Sequence, residues 1–377
     1  MRIAYIGSRH PLSHYSGVER RLSRLAPALA QRGHQVIIFG SRLADRVKAA
    51  TSIGGVEFVE VPAVAGKHLE TLSRSVIALA LSFRKRFDAI HFTHQGPGIL
   101  IPAAKVAGIP CVVTAAGLDW QRAKWGRFAK AVIRSAERTA VHFADEIIVQ
   151  SKAHQAYFSN TYRRVTIRIP NGMDAKRWPS EIDEIARLGL APDEYVLFAA
   201  RLVPEKACHE LIEAWNALQS GKKLVVAGAG AYNDGYVNSL KRIANPHKVI
   251  FAGHVGGALL EQLFAHCYLF VLPSHLEGMS TALLDALAYG RAALVSDIPE
   301  NLEVIEENGF SFRRGDVVNL RATLAGLLTD EARVHAMAAK VARAAAGKSS
   351  WEQVAAQHEA IYEGLARHRI VLERKSA

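Results

Sequence analysis

Short apolar runs rich in β-branched residues alternate with longer stretches of helical periodicity along the whole chain, a pattern that only parallel sheets assembled from βαβ units satisfy economically. In the first half the expected strands are 2–7, 35–40, 56–61, 89–93, 110–114 and 146–150, with helices near 17–32, 68–85, 98–107, 122–143 and 152–159. The rhythm restarts with strands at 195–200, 223–227, 249–252, 269–272 and 292–296. Residues 170–194 are turn-rich and carry no long apolar period, so the domain boundary belongs there. The expected class is α/β, with two doubly wound parallel-sheet domains, 1–170 and 171–350. Ligands of such sheets bind beyond the carboxyl ends of the strands, so a shared site in a cleft between the domains is expected.

A length of 377 residues suits two domains, and 50% hydrophobic with 22% charged residues excludes disorder. The tail from Trp351 to Arg369 has the spacing of an amphipathic helix. Its 351–377 segment is expected to join the first domain and pack across both, or else to close the second, with His358 as a hydrogen-bonded packing residue. Cys111, Cys208 and Cys267 lack metal or redox spacing and read as reduced core residues. The N-terminus reads as a first strand rather than a leader, and no apolar run is long enough to span a bilayer.

Residues 1–168 hold 25 Lys and Arg against 10 Asp and Glu, whereas the remainder holds 22 against 25. The whole surplus therefore sits in the first half and implies an anionic partner, either lipid headgroups or a lipid pyrophosphate, with a solvated basic face that has no partner as the alternative. Nucleic acid is not expected, because aromatic residues are not interleaved with the cations and no nucleic-acid motif occurs.

Three stretches carry chemistry. In 273–297, Glu277 stands in the loop opening a helix, Asp285 lies two turns along it, and Gly278, Met279 and Ser280 are expected to offer N–H groups at the helix start. Helix starts hold phosphate oxygens, and carboxylates accept hydrogen bonds from sugar hydroxyls. Arg201 and Lys206 follow the strand 195–200, where two cations can neutralise a diphosphate. Ser16 and Gly17 open the helix after the first strand, where a glycine lets the backbone approach a phosphate. Gly228-Ala229-Gly230 lacks a third glycine and reads as a strand-end turn.

With the flanking PS, EG and YG pairs, the 277–285 segment resembles the E-x7-E motif of the retaining GT-B glycosyltransferases of family 4 (glycosyl transferases group 1), a likeness that extends over nearly the whole chain. The resemblance implies a GT-B fold of two facing Rossmann-like domains, the first binding acceptor and the second a nucleotide diphosphate-sugar, UDP- or GDP-linked. By resemblance Glu277 contacts the donor sugar, Asp285 the ribose, and Arg201, Lys206 and the Gly17 backbone the diphosphate. The chain departs from the pattern at Asp285 (usually Glu), Ala207 (usually Gly) and Ser16 (often Gly).

The largest departure is Ala116. Related enzymes read T-x-H-G here with the histidine lining the reaction centre, whereas this chain reads Thr114-Ala115-Ala116-Gly117. It works without that histidine, or is inactive and binds donor or a partner protein, or carries a deliberate substitution. The following Asp119, Trp120, Arg122 and Lys124 suit acceptor binding. No Asp-x-Asp motif occurs, so no metal and no cofactor are expected beyond the nucleotide-sugar co-substrate. The expected setting is the inner face of the plasma membrane, with a glycan or lipid-linked saccharide as acceptor. Arg84-Lys85-Arg86 and the basic stretch 122–138 would meet anionic lipid. A sugar phosphorylase or nucleotide-sugar epimerase on a similar scaffold is the remaining alternative.

Overall fold

A computed structural model divides the chain into two units, Met1–Gly172 with Ser349–Ala377, and Met173–Lys348. It describes all residues except 11–15, 42–51, 65–68, 123–124, 174–175, 177, 231–233, 346 and 377.

The first unit holds an eight-stranded sheet made of β1 (Arg2–Ile6), β2 (Gln35–Gly40), β3 (Ser52–Ile53), β4 (Val56–Glu60), β5 (Ala89–Phe92), β6 (Cys111–Ala115), β7 (Glu146–Val149) and β8 (Ile167–Arg168). Their order is β3-β4-β2-β1-β5-β6-β7-β8, and only β3 and β4 pair antiparallel. The second unit holds β9 (Tyr195–Ala199), β10 (Lys223–Ala227), β11 (Val249–Gly253), β12 (Leu269–Leu272), β13 (Ala293–Ser296) and β14 (Phe310–Phe312), all parallel, in the order β11-β10-β9-β12-β13-β14. The strands β5, β6, β9 and β12 are buried along their whole length, because helices cover both faces; this explains why they read as continuous rather than alternating apolar runs.

Strand order locates the ligand sites. In each sheet the chain first builds outward on one side of its opening strand and then crosses to the other, so the topological switch points are β1/β5 and β9/β12. Two helices come out shorter than expected. The stretch 98–107 splits into a 3-10 turn, Gly96–Leu100, and a helix, Ile101–Val106, each opening at a proline. The 122–143 helix starts only at Arg127.

The C-terminal helix, Trp351–Ser376, belongs to the first unit and does not close the second. Val354, Ala355 and Tyr362 are buried in the cluster that contains Ile3, Tyr5, Leu22 and Leu29. His358 is a fully buried packing residue: Arg21 donates to its Nε2 at 2.9 Å, and its Nδ1 contacts the Val354 carbonyl at 2.7 Å. Arginine can only donate and a carbonyl can only accept, so the proton of this neutral ring lies on Nδ1. All three cysteines are buried free thiols.

Candidate functional site

In the second unit the switch point brings together two of the predicted donor residues, Lys206 and Glu277. The turn after β10 must press against the end of β9, and only a glycine fits. At Gly228, φ is +155°, and a Cβ would fall 1.9 Å from the Ala200 carbonyl oxygen. The chain leaves β9 through Arg201 into a 3-10 turn, Pro204–Lys206, and Ala207 follows in the left-handed region at φ 51°. That conformation explains why a glycine would suit position 207, since a Cβ there costs about 1 kcal/mol.

Lys206 Nζ lies 2.5 Å from Glu277 Oε1, so the loop after β9 and the loop after β12 meet at an ion pair whose side chains are 15% and 6% exposed. A second tie runs from the His275 amide to the Glu205 carbonyl at 2.9 Å. Farther back, Ser296 Oγ donates to the Ser274 carbonyl at 2.5 Å, and Asn301 Nδ2 donates to Ser296 Oγ at 3.1 Å. The 273–280 loop is therefore fixed from two sides, by the turn after β9 and by the end of β13.

Ser280 turns out to be the N-cap of the helix Thr281–Ala288, its Oγ accepting from the Leu283 amide. Gly278 and Met279 precede the cap, and the Met279 side chain packs on the apolar core; within the helix the amides of Thr281 and Ala282 lack an intrahelical partner. Asp285 lies one turn into the helix and faces Lys176 at 3.6 Å, with Lys176 Nζ 5.6 Å from the Tyr289 ring centre.

In the first unit, Gly7 ends β1 at the switch point with φ +115°, and a Cβ there would fall 2.7 Å from Thr93 Oγ1. His94, just beyond β5, contacts the Gly7 carbonyl through Nε2 at 3.2 Å and accepts from the Gly96 amide on Nδ1 at 3.3 Å. Its Nδ1 also lies 4.0 Å from Asp119 Oδ2. Burial lowers the pKa of this imidazole and the Arg74 charge adds to that, while Asp119 opposes them. Arg9 forms a forked pair with Glu70 at 2.8 and 2.7 Å; Arg74 donates to Glu70 at 3.1 Å and to the Gly7 carbonyl at 2.8 Å.

Ser16 caps the helix Gly17–Gln31 by accepting from the Val18 amide at 3.2 Å, and it hydrogen-bonds Glu19, which also accepts from the Arg9 amide at 3.0 Å. Gly17 is exposed at the first helical position. Ala116 follows β6 directly. Asp119 accepts from Arg122 Nε at 2.8 Å, and the Arg134 guanidinium stacks 4.0 Å from the Trp120 ring centre. Lys124 lies outside the described residues.

Lys206 and Glu277 thus meet, as do Asp119 and Arg122, while Asp285 faces a cation that the sequence reading did not single out. Lys176 sat in the turn-rich boundary segment. His94, Arg9, Glu70 and Arg74 were missed because strand order, which places them at a switch point, is not readable from periodicity; the histidine one residue after a strand was the available signal.

Glycosyl transferases group 1 matches residues 181–346, and Glycosyltransferase Family 4 matches residues 15–177. The chain is 25% identical to a glycogen synthase of Mycobacterium tuberculosis over 96% of its own length and 94% of that protein. It is 27% identical to an Escherichia coli UDP-Gal:alpha-D-GlcNAc-diphosphoundecaprenol alpha-1,3-galactosyltransferase over 65% of this chain and 67% of the other. Among solved structures, Anabaena HepE in complex with UDP and glucose superposes with a TM-score of 0.78 at 21% identity, covering 96% of this chain and 99% of that one.

Proposed function

The chain belongs to the group 1 glycosyl transferases of Glycosyltransferase Family 4, with the GT-B pair of Rossmann-like domains, and from that premise we propose a retaining, metal-independent hexosyltransferase using a UDP- or GDP-sugar. The observation that carries this reading is the Lys206–Glu277 pair at the β9/β12 switch point, with Arg201 on the same loop. In the reaction the anomeric C–O bond breaks with its electron pair going to the diphosphate. Arg201 and Lys206 stabilise that developing charge, which is work a metal ion would otherwise do. Glu277 holds the sugar and Asp285 the ribose. An acceptor hydroxyl bonds to the anomeric carbon on the face the leaving group vacates, and its proton passes to a phosphate oxygen of the donor.

Thermal denaturation of the native chain with UDP, GDP and their sugars tests the donor. One nucleotide series is expected to stabilise the protein by about 2.7 kcal/mol when present at about 100 times its dissociation constant. No response to either series would sink the reading. Ala116 bears on turnover. If an Ala116→His variant transfers sugar and the native chain does not, the native chain binds donor without transferring it.

The acceptor proposed for the first unit is a glycan or lipid-linked saccharide, met at an anionic membrane surface. The supporting feature is the helix Glu70–Ser82, beside which Leu69, Leu72, Val76 and Phe83 are exposed, followed by Arg84, Lys85 and Arg86. Each cation near such a surface contributes about 1 kcal/mol, and the apolar side chains add insertion. Among the described residues no helix is long and apolar enough to cross a membrane. Neutralising Arg84, Lys85 and Arg86 together is expected to weaken co-sedimentation with phosphatidylglycerol vesicles about 100-fold; undiminished binding would remove the membrane proposal.

A further inference from the structure

A groove of about 630 Å³ runs between the helices Arg127–Phe143 and Lys152–Tyr162 of the first unit. Arg134, Arg138 and His142 line one wall, spaced four residues apart and so stacked along one helix face. Tyr157, Thr161 and Tyr162 line the other.

Both tyrosine hydroxyls donate to Glu137 Oε1, at 2.7 and 2.6 Å, and Gln95 Nε2 donates to its Oε2 at 3.1 Å. Glu137 is fully buried. Two consequences follow. The tyrosine hydroxyls are occupied inward, so the two rings, 6.0 Å apart and nearly perpendicular, offer carbon surface to the groove. Glu137 itself is committed to those hydroxyls, and neither Arg134 nor Arg138 has a carboxylate partner among the described residues.

Unneutralised guanidinium groups bind carboxylate or phosphate in a fork, and aromatic carbon surface takes the C–H face of a sugar ring. The volume lies within the range of small-ligand sites. Position supplies the rest: the Arg134 guanidinium stacks on Trp120 in the proposed acceptor loop, and Gln95 adjoins His94 at the end of β5.

We infer that this groove is a subsite for an acidic saccharide segment, bearing carboxylate or phosphate groups, that continues from the acceptor sugar. The inference rests on the reading of the first unit as the acceptor side.

Calorimetric titration with tetragalacturonate, a phosphorylated maltotetraose and maltotetraose itself separates the two acidic chemistries from neutral sugar. At least one acidic saccharide is expected to bind about tenfold or more tighter than maltotetraose, an advantage that shrinks with added salt. The double variant Arg138→Gln/His142→Gln should abolish that advantage while the nucleotide thermal response stays as in the native chain. Thr161→Trp, which fills the groove without changing its charge, should weaken the acidic and neutral saccharides alike. Equal affinity for acidic and neutral saccharides in the native chain, or an advantage that survives the double variant, overturns the inference. So does loss of vesicle binding in the double variant with saccharide binding intact, because the cations would then face membrane. A failed nucleotide response with saccharide binding intact sinks the donor reading instead, so the two failures are distinguishable.

Discussion

Lys206→Ala is expected to lower kcat/KM by about a hundred- to a thousand-fold, the loss typical of removing one preorganised group from developing anionic charge. The same substitution leaves Glu277, 6% exposed, without its 2.5 Å partner. A carboxylate stranded in that way costs about 2–3 kcal/mol of stability, somewhat below the figure for a fully buried pair because Lys206 retains some solvent contact. Activity and stability therefore fall together, and the single variant cannot separate a structural ion pair from a diphosphate clamp. The double variant Lys206→Ala/Glu277→Gln, set beside Glu277→Gln alone, does so. Replacing the stranded charge with a neutral amide should return most of the stability, read by urea denaturation, while transfer stays well below that of Glu277→Gln alone. Recovery of transfer in the double variant would show that the pair only holds two loops together, and the role of Lys206 at the diphosphate would have to be abandoned.

The sequence shows its sheet-forming rhythm because βαβ strands buried on both faces are unavoidably continuous and apolar; β1, β5, β9 and β12 stand out for that reason. Three short edge strands were not legible. β3, β8 and β14 span two or three residues each, too few to establish a period, and they form because a neighbouring strand presents open backbone groups. The same limit applies to the site. Glu277, Arg201 and Lys206 lie in local motifs, whereas His94 and Lys176 matter through neighbours distant in sequence. The contact of His94 with Gly7 depends on β1 lying beside β5, which no local pattern states. Ser16 shows the converse: its capping of Gly17–Gln31 together with Glu19 follows a local S-x-x-E spacing that was present in the sequence and passed over in favour of the glycine.

Tyr362→Ala is expected to destabilise the first unit by about 4 kcal/mol, the usual cost of deleting a large buried aromatic side chain. Its hydroxyl lies 2.7 Å from the Tyr5 hydroxyl and 2.6 Å from His91 Nδ1, and His91 Nε2 lies 2.7 Å from Thr114 Oγ1. This chain of contacts joins the C-terminal helix to β1, β5 and β6, so truncation removes polar partners as well as packing. Tyr362→Phe should cost only about 1–2 kcal/mol, because the ring remains and one hydroxyl is lost. An effect of Tyr362→Ala below that of Tyr362→Phe would refute the account of the helix as part of the first unit's core. Acid acts on the same cluster through histidine. Burial, with the Arg21 charge, holds His358 down at about 3 and pushes His91 well below its ordinary value. Unfolding frees both rings to titrate near pH 6.5, so below that pH the unfolded chain binds more protons than the folded one. Stability should accordingly be full above about pH 6.5 and decline as pH falls toward the His358 value of about 3, by up to about 1.4 kcal/mol per pH unit for each ring. Replacing His358 with Gln keeps an amide able to meet Arg21 and removes one titrating group, so the slope of stability against pH should shrink between pH 6 and about pH 4. An unaltered slope would mean that His358 is protonated in the folded chain, against the proton placement that Arg21 and the Val354 carbonyl impose.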